Sequence, residues 1–197
     1  MPLAPARYWQ MRFWFRSAAS ANGTETANGS DLWTWLRDAA TSPAVNRRAA
    51  IAIDDEERRR YVADATTMTL VSIGADGYPH AVPMWFMVGD DERIYMTTYG
   101  RSQKAVNLRR NPRVALLVES GVRYDELKGV LIRGTAEVVD DLELCVRVLS
   151  QVHAKHTGGL PEGIEDLMRA QARKRVVLRI TPDRITSWDH KKLGGTY

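Results

Sequence analysis

From Met68 to Ile73 apolar side chains alternate with smaller and polar ones, a weak period-two pattern that predicts a strand with one buried face. Ala75-Asp76-Gly77-Tyr78-Pro79 follows, and Asp-Gly at its centre is the strongest short-range hairpin signal. His80 to Val88 then reads as a second strand, Gly89-Asp90-Asp91-Glu92 as a turn, and Arg93 to Thr98 as a third strand, so the region opens as a β-meander. Val114 to Glu119 is a further apolar strand, and Lys128 to Val139 is a long one interrupted by Gly129 and Gly134. Glycine inside a strand marks a bulge or bend, which a barrel needs at its corners. Near the end, Arg175 to Ile180 and Arg184 to Trp188 read as strands on either side of a turn at Thr181-Pro182-Asp183.

Helical signals fall between the strands. Asp54-Asp55-Glu56-Glu57 followed by Arg58-Arg59-Arg60 puts acids on a first turn and cations later, as the helix dipole favours, and this helix should end before Thr66-Thr67. Arg101 to Arg110 is a short basic helix stopped by Asn111-Pro112. Asp140-Asp141 caps a helix running to about His153, with Leu142, Leu144, Cys145, Val148 and Leu149 forming its apolar pattern. Pro161 to Arg173 is a further helix. About seven strands with three or four inserted helices do not make a βαβ repeat; they predict a small, mostly antiparallel barrel with helices packed outside it.

The 197-residue length accommodates one such domain plus an extension, and 44% apolar with 26% charged residues is ordinary for a globular chain. A net charge of +4 is too small to argue for a nucleic-acid partner. Cys145, the single cysteine, excludes an intrachain disulfide framework and a multi-cysteine zinc site, and its apolar neighbours mark it as core packing. No segment reaches the ~20 apolar residues that span a bilayer, and a cytoplasmic location is expected. Four of the six tryptophans (Trp9, Trp14, Trp33, Trp35) lie in the first 35 residues, and Ser17 to Ser30 between the pairs has a linker composition. Residues 1–50 are therefore expected to form a poorly ordered extension; contact with a membrane surface through its Arg and Trp stays open beside that reading. The ordered domain is expected over residues 51–197.

One stretch carries most of the candidate chemistry. Arg101 to Arg113 holds Arg101, Lys104, Arg109, Arg110 and Arg113 and no acid, and it joins a strand ending in Thr97-Thr98 to the strand at Val114. A helix N-terminus presents unpaired N–H groups and the positive end of a dipole, and Ser102 and Lys104 would add a hydroxyl and a point charge there. The arrangement suits a phosphate; a solvated basic helix beside a strand is the plainer alternative. His153, His156 and His190 lack a carboxylate or cysteine partner that would complete a metal site, and no metal is expected. Gly194-Gly195 is not flanked as a phosphate loop requires. Tyr124-Asp125-Glu126 reads as a loop near a pocket mouth or as a plain solvated turn.

Gly77-x-Pro79, the apolar strand from Val82 to Phe86, and the run Arg101-Ser102-Gln103-Lys104-x-x-Asn107-Leu108-x-x-Asn111-Pro112-x-Val114 together resemble the pyridoxamine 5′-phosphate oxidase-like superfamily over about residues 55 to 190. Within it the chain is more similar to the deazaflavin-dependent (coenzyme F420) oxidoreductase branch than to true pyridoxamine phosphate oxidases. It lacks their arginine-rich C-terminal substrate segment and ends in Trp188-Asp189-His190-Lys191-Lys192-Leu193-Gly194-Gly195-Thr196-Tyr197. The resemblance implies an antiparallel split β-barrel of the FMN-binding type with flanking helices, and a homodimer with the cofactor between subunits. It implies coenzyme F420 as cofactor, with FMN as the alternative. It matches Ser102, Lys104 and Thr98 to phosphate-binding positions, with Arg101 beside them, and Val82, Pro83, Met84 and Trp85 to the strand lying against the flavin ring. Gln103 stands where the oxidases carry arginine, which departs from their way of holding FMN. Two function classes follow: an oxidoreductase moving a hydride from reduced deazaflavin to a small conjugated substrate, or a non-catalytic protein that binds flavin or F420. In either case the cofactor supplies the redox chemistry and the protein supplies position and electrostatics.

Overall fold

The computed structural model describes residues 47–194, so nearly all of the expected N-terminal extension lies outside the described residues. A short helix, α1 (Arg47–Ile51), crosses the expected boundary at Ile51, and two residues later Ile53 is already buried. Helix α2 (Asp55–Asp64) begins where the acids predict, because the Asp54 side chain accepts a hydrogen bond from the Glu57 N–H at 2.8 Å. Strands β1 (Thr67–Ile73) and β2 (Pro79–Trp85) form the hairpin signalled by Asp76-Gly77. Gly77 sits at φ 84°, a left-handed conformation that the turn requires and that side chains other than glycine's resist.

The remaining strands are β3 (Met87–Val88), β4 (Ile94–Tyr99), β5 (Arg113–Ser120), β6 (Lys128–Val139) and β7 (Arg175–Asp189). Helix α3 (Gln103–Arg110) joins β4 to β5, and α4 (Leu142–Thr157) and α5 (Glu165–Ala172) lie between β6 and β7. All seven strands pair antiparallel in one sheet, ordered β2-β1-β5-β6-β7-β4-β3. Antiparallel, mostly β, with helices outside the sheet: this is the split-barrel fold class read from the sequence.

Two expectations are corrected. The run His80 to Val88 is not one strand: Phe86 breaks it, leaving β2 on one edge of the sheet and β3 on the other. The turn at Gly89-Asp90-Asp91-Glu92 still folds β3 back onto β4 as a second hairpin, but beyond β3 the strand β4 pairs with β7 rather than with β2. The second correction concerns Thr181-Pro182-Asp183, which is no turn. β7 runs through it and pairs with β6 along its length, with a register shift at Arg133/Gly134 that leaves Asp183 opposite no residue. A bulge of this kind accommodates Pro182, which has no N–H to donate. Gly134 is required at the same place, since a Cβ there would stand 2.4 Å from the Thr181 carbonyl oxygen.

The core inside the curled sheet is built from alternate residues of nearly every strand, among them Leu70, Met96, Leu116, Val130, Leu178 and Ile180, with Phe86 fully buried at the joint. A second, smaller cluster joins Cys145, Val148 and Val152 of α4 to Ala172 of α5 and Val177 of β7, so Cys145 is a packing residue. It clamps the α4–α5 pair onto the outside of β7. Lys155 of α4 adds a cation–π contact over the Phe86 ring at 4.3 Å.

Phe86→Ala is expected to cost about 3–5 kcal/mol of unfolding free energy, from lost burial and the cavity left behind. Val122, 96% exposed, should tolerate alanine within about 0.5 kcal/mol. Urea unfolding of both variants measures the contrast, and equal midpoints would contradict the role given to Phe86.

Candidate functional site

The start of α3 is fixed by two hydroxyls. Ser102 caps the helix, its Oγ accepting from the Ala105 N–H at 3.4 Å, and the same Oγ lies 3.0 Å from Thr98 Oγ1 at the end of β4. Ala105, Asn107 and Leu108 form the buried face of α3. Asn107 Nδ2 donates to Ser72 Oγ at 3.1 Å, and Asn107 Oδ1 accepts from Gln103 Nε2 at 2.8 Å. This pins the helix against β1 and commits Gln103 to its own helix. Lys104, on another side of the first turn, is left to face a cavity.

That cavity has a volume of about 390 Å³. One wall is strand backbone and side chain: Pro83, Met84 and Trp85 of β2, and Thr97, Thr98 and Tyr99 of β4. Lys104 and Arg175, at the beginning of β7, bring positive charge. The opposite wall is helical, with Leu149, Val152 and His153 from α4 and Met168 and Gln171 from α5. One turn beyond His153, His156 stacks on the Trp85 ring at 3.7 Å between centroids and 18° between planes, tying α4 to the end of β2.

Of the residues singled out from sequence, Pro83, Met84, Trp85, Thr98 and Lys104 come together on this cavity. Val82, on the same inward face of β2 as Met84 but one pair further from the strand's end, packs against the main core and does not line the cavity. Arg101 lines a second cavity, and Ser102 and Gln103 line neither. Tyr124-Asp125-Glu126 forms a 3₁₀ turn away from both cavities, beside the His190 ring, whose Nδ1 lies 2.9 Å from the Tyr124 carbonyl oxygen. The helical wall was not read from sequence. Its apolar spacing marks α4 as a buried helix but does not say which strands it covers; the nearest signal was His153 with His156 on one helix.

The second cavity, about 600 Å³, shares Tyr99 and Arg175 with the first. Arg101, Arg109, Arg173, Lys174 and Arg175 line it, with Asp140 the one acid. Arg109 is steadied by donating from Nη1 to the Gly100 carbonyl at 2.6 Å. The Arg175 guanidinium lies 4.5 Å from the Tyr99 ring centroid, and its buried Nε has no hydrogen-bond partner among the described residues. No acid lines the first cavity. Burial there, and then the charge of Arg175, push the Lys104 ammonium below the ordinary lysine range. Such a cluster of cations, short of counter-charge, is arranged for an anion. Among the described residues no three His, Cys, Asp or Glu side chains gather as a metal site would need.

The family model for pyridoxamine 5′-phosphate oxidase matches residues 54–189. The crystal structure of a conserved hypothetical protein from Mycobacterium tuberculosis is 42% identical, with a TM-score of 0.70 over 76% of this chain and 93% of that one. A 5a,11a-dehydrotetracycline/5a,11a-dehydrooxytetracycline reductase from Streptomyces rimosus is 38% identical over 76 residues, 36% of this chain and 53% of that protein. The chain thus spans about half the length of that curated relative. A solved F420 reductase, 23% identical, shares the fold at a TM-score of 0.52 over 65% of this chain and 94% of that one.

Ser102→Ala removes both the cap and the bond to Thr98, and is expected to cost about 1 kcal/mol of stability. Val106→Ala, on the exposed face of α3, should stay within about 0.5 kcal/mol. Denaturant midpoints test the pair: a larger loss for Val106→Ala would displace Ser102 as the residue that sets the helix start.

Proposed function

The chain belongs to the pyridoxamine 5′-phosphate oxidase family, and from that premise we propose that it is a cytoplasmic oxidoreductase that uses reduced coenzyme F420 to transfer hydride to a small conjugated substrate. The observation that carries this reading is Lys104, a partly desolvated cation without a carboxylate partner, facing a cavity walled by β2 and free of acids. A cofactor phosphate placed there would meet Lys104 and Arg175. The ring system would lie along Pro83, Met84 and Trp85, a wall of the kind that accepts a flat heterocycle. The residues fit such a group, since the unpartnered Arg175 Nε and the excess of cations both call for an anionic ligand. When bound, the cofactor supplies the hydride chemistry; the protein holds the phosphate, orients the ring and keeps water from the helical side of the cavity.

The adjoining basic cavity favours F420 over FMN. FMN carries one phosphate, which Lys104 and Arg175 suffice to hold, whereas Arg101, Arg109, Arg173 and Lys174 suit a longer anionic tail. Gln103, bonded to Asn107, adds no charge for a second phosphate contact. The Streptomyces rimosus relative, named as a reductase, agrees with the oxidoreductase class.

A homodimer belongs to the same proposal. Trp85 lines the cavity yet is 50% exposed. The row Pro83, Thr69, Leu117, Leu131 runs across neighbouring strands on the face of the sheet turned away from the core. A second copy seated on that row would cover Trp85 and close the site. Light scattering giving a lone 22.2 kDa species at micromolar concentration would remove this part of the proposal.

Lys104→Ala should weaken F420 binding about ten- to a hundredfold, the equivalent of one charge-assisted contact worth roughly 1.5–3 kcal/mol. Arg109→Ala should cost less, because an exposed charge is screened by salt. Fluorescence titrations at two salt concentrations separate them, and equal losses, or tighter wild-type binding of FMN than of F420, would overturn the F420 assignment. Affinity should also fall with rising pH as Lys104 loses its proton, and do so below the usual lysine value of 10.5. The Lys104→Ala protein should lack that step.

A further inference from the structure

Reduction of a conjugated substrate needs a proton as well as a hydride. When a hydride from the reduced cofactor forms a C–H bond at the β-carbon of a conjugated carbonyl compound, the carbon–carbon π pair moves toward the carbonyl oxygen and leaves an enolate. The carbonyl is restored only when a proton reaches the α-carbon. Resting on the function proposed above, we infer that His153 delivers that proton.

The case begins with which acids the cavity offers. Its titratable lining residues are Tyr99, Lys104, His153 and Arg175. Arg175 does not give up its proton near neutral pH. Lys104 lies at the strand-to-helix end and is taken by the phosphate. Tyr99 is 58% exposed, and its ring is covered by the Arg175 guanidinium. His153 is half-buried, projects from α4 into the wall opposite the strands, and its imidazole has no hydrogen-bond partner among the described residues. Histidine is also the side chain whose protonation changes nearest to neutral pH, the condition for an efficient general acid.

Position supports the role. A planar ring laid on Pro83, Met84 and Trp85 leaves the substrate between itself and the helical wall, where His153 stands. The stack of His156 on Trp85 fixes α4 one turn further along, so the imidazole of His153 is held over the cavity rather than swinging with a loose helix. The charges facing His153 are Lys104 from α3 and Arg175 from β7; α5 and β2 present only the uncharged Met168, Gln171 and Trp85. An enolate forming there is therefore surrounded by donors and cations, and His153 is the titratable group that faces it from the helical wall. The imidazolium loses the proton to carbon and regains one from water, so the electron pair enters only with the hydride and the protein is unchanged.

The test has an arm that needs no cofactor. p-Nitrophenolate is a stable mimic of a conjugated enolate, and its absorbance reports the ionised form directly. Wild-type protein is expected to bind it at least tenfold more tightly at about pH 6 than at about pH 8, after correction for the ionised fraction, because binding is strongest to protonated His153. His153→Gln should bind it with little pH dependence. A side chain that only shapes the cavity would instead weaken binding equally at both pH values. With reduced F420 and cyclohex-2-en-1-one, His153→Gln should lower kcat about a hundredfold or more while cofactor affinity stays unchanged. A pH-independent affinity in the wild type, or the same pH dependence in His153→Gln, overturns the assignment. Failure of the wild type to bind any deazaflavin or flavin would instead overturn the proposed function, and the phenolate result would still report on His153.

Discussion

A single residue joins the two edges of the sheet. Trp85 ends β2 and Met87 begins β3, and these strands stand at opposite ends of the seven-strand order. Laid flat, seven strands would hold their edges about 29 Å apart at roughly 4.8 Å per spacing. Two successive Cα–Cα steps of about 3.8 Å reach no more than about 7.6 Å. The sheet has no choice but to curl until its edges meet at Phe86. Burial of that ring at the seam stabilises the closure, and Lys155 caps it from α4. Everything that makes a site follows from this geometry. β2 and β4, distant in the hydrogen-bonded order, become two sides of one cavity, and α3, which leaves the end of β4, places Lys104 between them.

Closure also explains which parts of the fold were legible in the sequence. The β1–β2 hairpin was announced by Asp76-Gly77, and α2 by its acids after Asp54, because turn and cap chemistry is local. The end of α3 was readable for the same reason, since Asn111-Pro112 stops it, whereas Ser102, which caps its start, reads in the sequence as a hydroxyl for a phosphate. The break at Phe86 was not readable. From His80 to Val88 the side chains remain apolar on both sides of the break, and nothing local distinguishes one strand from two that belong to opposite edges. Thr181-Pro182-Asp183 misled in the opposite direction, since proline and aspartate normally end a strand. Only the approach of Gly134 to the Thr181 carbonyl shows why the pairing with β6 is distorted there but not ended.

The candidate site divides along the same line. Pro83, Met84, Trp85, Thr98 and Lys104 lie within a few residues of turns or helix ends whose chemistry is written in the chain, and they do converge. Arg175, His153, Met168 and Gln171 reach the cavity through tertiary packing of α4 and α5 on β7, which the spacing of Cys145, Val148 and Val152 makes possible but does not direct. Ser102 shows the limit of motif reading from the other side. Its hydroxyl is already engaged by Ala105 and Thr98, so what it gives the site is the position of the helix, and the charge comes from Lys104.

Electrostatics finally links the site to its stability. Lys104 and Arg175 repel one another across a cavity without an acid, and burial alone already disfavours the charge on Lys104. Elsewhere the protein compensates its cations readily: Lys128 pairs with both Glu57 and Asp189, Arg169 with Glu143, and Arg179 with Glu137. The contrast is informative because the same chain, with acids available, leaves its cavity cations without them. An anion that satisfied Arg175 Nε and the Lys104 ammonium would relieve both costs at once, so binding and folding free energy are coupled at this place. The strain of unpaired positive charge is stored between β4, α3 and β7, the three elements that closure at Phe86 brings against the edge of β2.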